Sequence, residues 1–252
     1  MTYCVAICVK SGMVFCSDSR TNAGVDHIST YSKMYRFGRE GDRQFSLLAS
    51  GNLATTQAVI AQLRKDIEES GKRSLMTATT LDEAADYIGE VSIAKQTRNF
   101  QGGDGGYEAS FLLGGQIHGS VHQVMLIYPQ GNHITTSKDT PFLQVGESKY
   151  GKPILDRIIN PDTSLQTAEV CALVSMDSTM RSNLLVGPPI ELLVYETDRF
   201  AFEHYWRFDQ DDAYLHELKS AWHARLREAF ESLPRLDWAA IERKAGQEKI
   251  ES

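Results

Sequence analysis

Basic residues are fewer than acidic ones in this sequence, and long apolar runs are missing from it. The 26 lysines and arginines against 33 aspartates and glutamates give a net charge of −7. That balance argues against nucleic acid or an anionic membrane as the main partner, because both bind through basic patches. No apolar run approaches the roughly 20 residues that a membrane-spanning helix needs. A Walker-type phosphate loop and a dinucleotide fingerprint are also missing, so we expect no nucleotide and no other cofactor.

Cysteine is scarce as well, with four residues in a chain of 252. Cys4, Cys8 and Cys16 fall in apolar runs typical of strands, and the fourth is Cys171. No C-x-x-C motif occurs and no histidine stands at ligand spacing beside them, so we expect small buried thiols and no metal. The apolar start has no basic region before it and no small-residue cleavage site after it, which predicts a cytoplasmic protein without a signal peptide.

Apolar runs separated by turn residues predict a strand-rich first quarter of the chain. The predicted strands are 3–9, 13–17, 29–37 and 44–49, of which the first two form a β-hairpin around the turn residues Lys10-Ser11-Gly12. From Leu53 to Ile67 apolar residues recur mostly at intervals of three and four. That spacing predicts an amphipathic helix that ends near Gly71.

The rest of the chain repeats this order of strands and then helices. A helix is predicted from Thr80, followed by strands at 109–114, 121–128, 142–145 and 190–195 and helices at 148–159, 164–175 and 215–229. Such blocks favour an α+β layered fold over a doubly wound one. Two antiparallel sheets packed face to face, with a helix pair outside each, would bury the apolar faces as a four-layer αββα sandwich. We expect this domain over 1–198 and a C-terminal helical extension, packed on it, over 199–252.

Thr2 is a candidate nucleophile. Initiator methionine is usually removed when the next residue is small, which would leave Thr2 with a free α-amine beside its hydroxyl. The amine has a reference pKa of about 7.7–8.0, so a fraction is neutral at physiological pH. A neutral amine can accept the hydroxyl proton as the nucleophile attacks. Many unrelated proteins begin in the same way, so these two residues alone do not establish a site.

Two charged residues accompany Thr2, one directly after the second predicted strand and one inside the third. Asp18, in Ser17-Asp18-Ser19-Arg20, follows the second strand, whose end the hairpin brings beside the start of the chain. Lys33 stands among apolar and aromatic residues and needs a partner, for which Asp18 is suited. A fixed ammonium near the Thr2 amine would lower that amine's pKa and keep it usable as a base. The ordinary alternatives are a strand-end turn for Asp18 and a surface lysine on an edge strand for Lys33.

The segment Ala49-Ser50-Gly51-Asn52 stands between the fourth predicted strand and the first long helix. Backbone amides at a helix N-terminus are unpaired and suit a developing oxyanion. The amides of Ser50 and Gly51 are therefore oxyanion candidates. A helix cap by Ser50 or Asn52 is the alternative, and both roles can hold together.

In combination these elements resemble a proteasome β-type subunit. The resemblance rests on T-x-x-x-A-I-x-x-x-x-G-x-V-x-x-x-D-S-R from Thr2, then a strand lysine, then L-A-S-G before a helix. It implies the fold of the N-terminal-nucleophile (Ntn) hydrolases and a threonine peptidase with a peptide or amide substrate. Its catalytic residues would be Thr2, Asp18 and Lys33, with Ser50 and Gly51 around the oxyanion.

Later elements of the family pattern match less closely. The family's Gly-Ser-Gly stretch before a helix corresponds here to Gly146-Glu147-Ser148, so Ser148 is displaced or replaced and Glu147 adds a carboxylate near the site. Asp177 matches a family aspartate, but Met180 stands where a serine follows three residues later. Ser178 and Ser182 are candidate substitutes in this accessory network.

Within the superfamily, the chain is most similar to the bacterial Anbu group. The features that indicate it are the start Met-Thr-Tyr-Cys-Val, without a propeptide, and the long tail after the last predicted strand. The resemblance implies a homo-oligomer, either a ring or an open helical stack, whose unfoldase partner the residues do not identify. A non-peptide amidase or transferase stays open on the same fold, as does a catalytically weak scaffold subunit.

Overall fold

The computed structural model describes residues 1–22, 28–69, 73–99 and 106–238. The chain forms two units, residues 1–212 and residues 213–252. The strands of the first unit are β1 (Tyr3–Val9), β2 (Gly12–Asp18), β3 (Arg20–Asn22), β4 (Ile28–Thr30), β5 (Met34–Arg39), β6 (Arg43–Gly51), β7 (Ala109–Ile117), β8 (Gln123–Ile127), β9 (His133–Thr135), β10 (Phe142–Gly146), β11 (Ile190–Glu196) and β12 (His204–Phe208). Its helices are α1 (Leu53–Glu68), α2 (Leu81–Asn99), α3 (Ser148–Ile158) and α4 (Leu165–Ser182).

Two antiparallel five-stranded sheets form the centre of the first unit. The first sheet has the order β10-β1-β2-β11-β12 and the second has the order β5-β6-β7-β8-β9, while β3 and β4 form a separate two-stranded ribbon. Strand β1 is a continuous apolar run because both of its faces are buried. One face packs on the second sheet and the other on α4.

Apolar side chains from both sheets interdigitate between them. Cys4, Ala6 and Phe15 of the first sheet share one buried cluster with Leu48 and Leu112 of the second. Helices α1 and α2 pack on the other face of the second sheet, where their buried residues join a second cluster. Helices α3 and α4 pack together and contact the first sheet. The expected four-layer αββα sandwich is confirmed.

The single strand predicted over 29–37 is wrong, because β4 ends at Thr30 and β5 begins at Met34. Between them, the Ser32 hydroxyl accepts a hydrogen bond from the Met34 amide at 3.3 Å. Such a local side-chain bond competes with a strand ladder for the backbone amide. Lys33 therefore lies directly before β5 and outside any strand, which corrects its predicted setting.

Other boundaries also differ from the sequence predictions. Helix α4 continues to Ser182, beyond the predicted end at 175. Helix α1 ends at Glu68 with Glu69 as its C-cap, a little before the predicted end near Gly71, a residue that lies outside the described ranges. Strand β12, which pairs with β11, was not predicted. It lies within the segment 199–252 that we expected to be helical, and the domain boundary at 198 stays a prediction.

The second unit contains α5 (Ala213–Glu231), and none of the residues of this helix is buried. Its most apolar stripe, which includes Leu215, Leu218 and Trp222, is half-buried. Among the described helices, none combines the length and the apolar character that crossing a membrane requires.

Candidate active site

The hairpin of β1 and β2 brings Asp18 beside the start of the chain. Its register pairs Cys4 with Ser17, so Asp18 lies next to Tyr3. The Tyr3 amide donates to Asp18 Oδ1 at 3.0 Å, and the Gly187 amide donates to Asp18 Oδ2 at 3.3 Å. Asp18 is completely buried. Its carboxylate is therefore held by backbone donors from two distant parts of the chain.

The ammonium of Lys33 lies between Asp18 and the first peptide bond. Lys33 Nζ donates to Asp18 Oδ1 at 2.8 Å and to the Arg20 carbonyl at 2.8 Å. It also donates to the Met1 carbonyl at 3.3 Å. An ammonium has three protons, so these acceptors use all of them. Because the Met1 carbonyl belongs to the peptide bond with Thr2, Lys33 lies next to the nitrogen of Thr2.

Two opposing effects act on the pKa of the Asp18 carboxyl. Burial raises the pKa of the Asp18 carboxyl, while the Lys33 ammonium and the two backbone amides act in the opposite direction. Three N–H groups point at the two oxygens, and a protonated carboxyl would direct its own proton toward one of them. We infer from this donor set that the ionised form is the one the site accommodates.

Several of the predicted site residues line one cleft, which we call the Thr2 cleft. Its volume is about 150 Å³, and its lining includes Thr2, Lys33, Ser50 and Gly51 together with Thr21, Ser32, Tyr35 and Leu53. Thr2 is 9% exposed, whereas Met1 is 56% exposed. The structure thus brings Thr2, Lys33 and the Ser50–Gly51 backbone together, with Asp18 directly behind Lys33.

The backbone after β10 holds Thr2 from the opposite side. The Glu147 amide donates to the Thr2 carbonyl at 2.8 Å. Gly146 has φ +84°, and a Cβ atom at this position would overlap the Thr2 carbonyl oxygen. Only glycine fits both conditions. The Glu147 carboxylate lies 3.9 Å from Lys149 Nζ, so what Glu147 supplies to Thr2 is its backbone amide.

At the end of β6, backbone amides alternate between the two neighbouring strands. The Ala49 amide donates to the Lys33 carbonyl at 2.9 Å, and the Asn52 amide donates to the Glu108 carbonyl at 2.9 Å on the β7 side. Successive amides of a strand point to opposite sides. The Gly51 amide is therefore directed to the side of Lys33, where β5 no longer pairs with β6.

The accessory candidates lie on the helices outside the first sheet. Ser148 begins α3, Asp177 and Ser178 are half-buried on α4, and Ser182 is the exposed last residue of α4. Of the described residues that line the Thr2 cleft, none belongs to this group. Their predicted role in the accessory network stays a prediction.

Two polar residues that bind the side chain of Tyr3, Ser175 and Gln144, were not predicted from the sequence. The Tyr3 hydroxyl lies 3.1 Å from Ser175 Oγ on α4 and accepts from Gln144 Nε2 at 2.7 Å. They anchor the residue that follows Thr2. Serine and glutamine inside predicted apolar elements were the available signal for them, whereas nothing in the sequence marks the Gly187 amide.

Thiol and metal chemistry receive no support from the described residues. All four cysteines are free thiols, and burial raises the pKa of the Cys4 and Cys16 thiols well above the ordinary range. A thiol that stays protonated is a poor nucleophile. Within the described ranges, His, Cys, Asp and Glu side chains do not gather in groups of three that could hold a metal ion.

Comparison with known proteins places the chain in a family. The family described as "Proteasome subunit" matches residues 2–195, from the candidate nucleophile to the last residues of β11. The chain belongs to the proteasome subunit family. Among curated proteins no match was found.

Solved structures of other proteasome-like subunits are similar over nearly the whole chain. Anbu (ancestral beta-subunit) from Yersinia bercovieri is 44% identical with a TM-score of 0.89, covering 93% of this chain and 98% of that one. The helical assembly of the Anbu complex from Pseudomonas aeruginosa is 45% identical with a TM-score of 0.89, covering 94% and 99%. The predicted similarity of this proteasome-family chain to the Anbu group is confirmed.

Proposed function

We propose that this chain is an N-terminal threonine hydrolase that cleaves a peptide or another amide after Met1 has been removed. The observation that supports the proposal is the position of the Lys33 ammonium, 2.8 Å from Asp18 Oδ1 and 3.3 Å from the Met1 carbonyl oxygen. A buried ammonium–carboxylate pair thus adjoins the bond whose hydrolysis would create the Thr2 α-amine.

Removal of Met1 would change the hydrogen bonding of Lys33. The Met1 carbonyl leaves with the residue, so one proton of the ammonium loses its acceptor while Asp18 and Arg20 keep the other two. The freed N–H then lies beside Thr2. A cation next to the new amine lowers the amine's pKa and raises its neutral fraction. Met1 is 56% exposed, which suits access by an aminopeptidase.

The proposed chemistry uses the amine of Thr2 as the base for its own hydroxyl. As Thr2 Oγ1 attacks the substrate carbonyl carbon, its proton moves to the α-amine. Collapse of the tetrahedral intermediate breaks the C–N bond, and the proton passes to the leaving amine. A water molecule then hydrolyses the ester on Thr2, with the amine as base, and releases the carboxylic acid.

The oxyanion of the tetrahedral intermediate needs a donor fixed near Thr2. Gly51 lines the Thr2 cleft, and alternation along β6 directs its amide to the side of Lys33 but the Ser50 amide toward β7. We therefore assign the oxyanion contact to the Gly51 amide. A preorganised backbone donor of this kind stabilises developing charge without reorganising during the reaction.

We also propose that the chain works as a homo-oligomer. The support is the similarity to the helical assembly of the Anbu complex from Pseudomonas aeruginosa, at 45% identity. Oligomers of a single chain commonly reuse one interface, which gives closed rings when the rotation closes and helical stacks when it does not.

Mass spectrometry of the intact protein tests the hydrolase proposal. The purified protein is incubated with a peptide epoxyketone, an electrophile that reacts with both the hydroxyl and the free α-amine of an N-terminal threonine. We expect a chain that lacks Met1 and carries one adduct on Thr2. Turnover of fluorogenic peptide amides is measured in parallel, because labelling without turnover would point to a different amide substrate.

Two variants serve as controls for the labelling. Thr2→Ala keeps a small second residue, so Met1 should still be removed, but the chain should take no adduct and show no turnover. Lys33→Met should retain Thr2 and lose most of the labelling rate, because the amine loses its neighbouring cation. Retention of Met1 in the active protein, or labelling that survives Thr2→Ala, would refute the proposal.

A further inference from the structure

A second buried carboxylate lies behind the Asp18–Lys33 pair. Glu191 on β11 is 4% exposed and accepts hydrogen bonds from three hydroxyl groups. Ser19 Oγ donates to Glu191 Oε2 at 3.1 Å, Ser32 Oγ to Oε1 at 3.0 Å and Tyr205 Oη to Oε1 at 2.6 Å. Among the described residues it forms no ion pair with lysine, arginine or histidine. Burying a carboxylate costs free energy unless strong donors bind it, so a carboxylate held here by three hydroxyl groups is expected to have a role.

The serines bound by Glu191 are direct neighbours of the two charged site residues. Ser19 follows Asp18 in the chain, and Ser32 precedes Lys33. One carboxylate therefore connects the segment that carries the anion with the segment that carries the cation. The backbone adds a link in the same place, since the Tyr31 amide donates to the Ser19 carbonyl at 2.9 Å.

The segment around Lys33 depends on such a link because it lies outside the sheets. Residues 31–33 belong to no strand, although the Ala49 amide of β6 donates to the Lys33 carbonyl at 2.9 Å. Ser32 Oγ lies within hydrogen-bond distance of the Met34 carbonyl as well as of Glu191. A hydroxyl has one proton to donate, and a carboxylate is the stronger acceptor. The bond to Glu191 holds Ser32, and with it the start of the Lys33 side chain, against β11.

We propose that Glu191 is a positioning residue whose carboxylate fixes Ser19 and Ser32, and through them the geometry of the Asp18–Lys33 pair beside Thr2. This inference rests on the proposed threonine chemistry. Glu191 and Ser19 do not line the Thr2 cleft, whereas Ser32 does. Tyr205 extends the network to β12, where the Arg36 guanidinium lies 4.3 Å from the centre of its ring.

Labelling kinetics with the epoxyketone separate positioning from binding. We expect Glu191→Gln to lower the limiting rate of adduct formation about tenfold, because small displacements of catalytic groups have effects of this order. The probe concentration at half the limiting rate should change less than the limiting rate, because of Glu191, Ser19 and Ser32 only Ser32 lines the Thr2 cleft. Tyr205→Phe, which leaves the carboxylate and both serines in place, should lower the limiting rate roughly threefold by the same reasoning.

Tyr87→Phe is the matched control for Tyr205→Phe. Tyr87 Oη donates to the Asp66 carboxylate at 2.5 Å, between α1 and α2, so this variant also removes a tyrosine–carboxylate hydrogen bond. It should leave the limiting rate unchanged. The inference would be overturned if Tyr87→Phe and Tyr205→Phe slowed labelling equally. It would also be overturned if Glu191→Gln and Tyr205→Phe both had limiting rates within about twofold of that of the unmodified protein. If Glu191→Gln does not fold, the comparison of Tyr205→Phe with Tyr87→Phe tests the inference by itself.

Crystal structures of Tyr205→Phe or Glu191→Gln and of the unmodified protein distinguish a failure of the threonine chemistry from a failure of the positioning role of Glu191. If the unmodified protein takes no adduct, the threonine chemistry fails, and the Lys33 Nζ–Asp18 Oδ1 separation then decides on positioning. A separation that lengthens from 2.8 Å, with Ser32 displaced, supports the role of Glu191. An unchanged pair in the variants refutes it.

Discussion

At the scale of single residues, the site depends on backbone groups as much as on side chains. Thr2 is held by the Glu147 amide on one side, while the next residue, Tyr3, donates its amide to Asp18. Gly146 permits this approach because a side chain there would overlap the Thr2 carbonyl. Thr2 can thus be fixed in place where it lines the Thr2 cleft.

Gly146→Ala should disturb Thr2 more than an equivalent change elsewhere. Gly146 and Gly119 have nearly the same φ, +84° and +82°, but a Cβ at Gly119 meets open space. Both variants carry the strain of a left-handed alanine, about 1–2 kcal/mol. Gly146→Ala adds a clash, for which we expect about 1–3 kcal/mol of further destabilisation.

Urea unfolding and labelling of Thr2 check this comparison. Gly146→Ala should have the lower unfolding midpoint and a reduced labelling rate, whereas Gly119→Ala should label at the normal rate. If the two variants unfold and label alike, Gly146 has no special relation to Thr2.

At the scale of elements, α1 carries the oxyanion side of the Thr2 cleft. Asn52 caps the helix by accepting the Thr55 amide at 3.1 Å, and its own amide donates to the Glu108 carbonyl. The cap fixes the turn between Gly51, whose amide we assign to the oxyanion, and Leu53, which lines the Thr2 cleft. The position of the oxyanion donor is therefore linked to the start of the helix.

Removal of the cap of α1 should affect both stability and labelling. Asn52→Ala should destabilise the fold by about 0.5–2 kcal/mol, the usual cost of a lost cap. Ser164→Ala is the control, because Ser164 caps α4 through the Thr167 amide at 3.2 Å. Both variants should lose similar stability in thermal unfolding, but only Asn52→Ala should slow the labelling of Thr2. Equal labelling rates would show that the α1 cap does not position the site.

At the scale of the whole molecule, the site forms where the two sheets pack on each other. Thr2 immediately precedes β1 of the first sheet, while Lys33, Ser50 and Gly51 lie before β5 or at the end of β6 in the second. The apolar cluster that the sheets share, with Phe15 from the first and Leu48 from the second, fixes their position relative to each other. Close packing of such a core resists the sliding that would separate nucleophile and oxyanion donor.

The proposed assembly is also tested on the whole molecule. Analytical ultracentrifugation should give particles several times heavier than the 28.2 kDa chain, and electron microscopy should show a ring or an open helical stack. Thr2→Ala should assemble in the same way, because the nucleophile is not required for subunit contacts. A single species of 28.2 kDa at micromolar concentration would contradict the proposal.

Much of the fold was predictable because its signals are local. The β1–β2 hairpin follows from apolar runs on either side of Lys10-Ser11-Gly12, and this short turn alone brings Asp18 beside the start of the chain. The helices over 53–68 and 81–99 follow from apolar spacing. The break before Lys33 was missed because one serine side chain competes there with the strand ladder, which periodicity does not register.

Apolar runs, turn residues and helical spacing were enough to predict the sandwich and the hairpin, and a lysine among apolar residues was enough to predict an acidic partner. Only folding in three dimensions brings distant groups to the site: the Glu147 amide to Thr2, the Gly187 amide to Asp18, and the Glu191 carboxylate to Ser19 and Ser32. The physical reason is sequence separation. Periodicity and turn chemistry act over a few neighbours, whereas these contacts join segments far apart in the chain, which meet only when both sheets and α4 are packed.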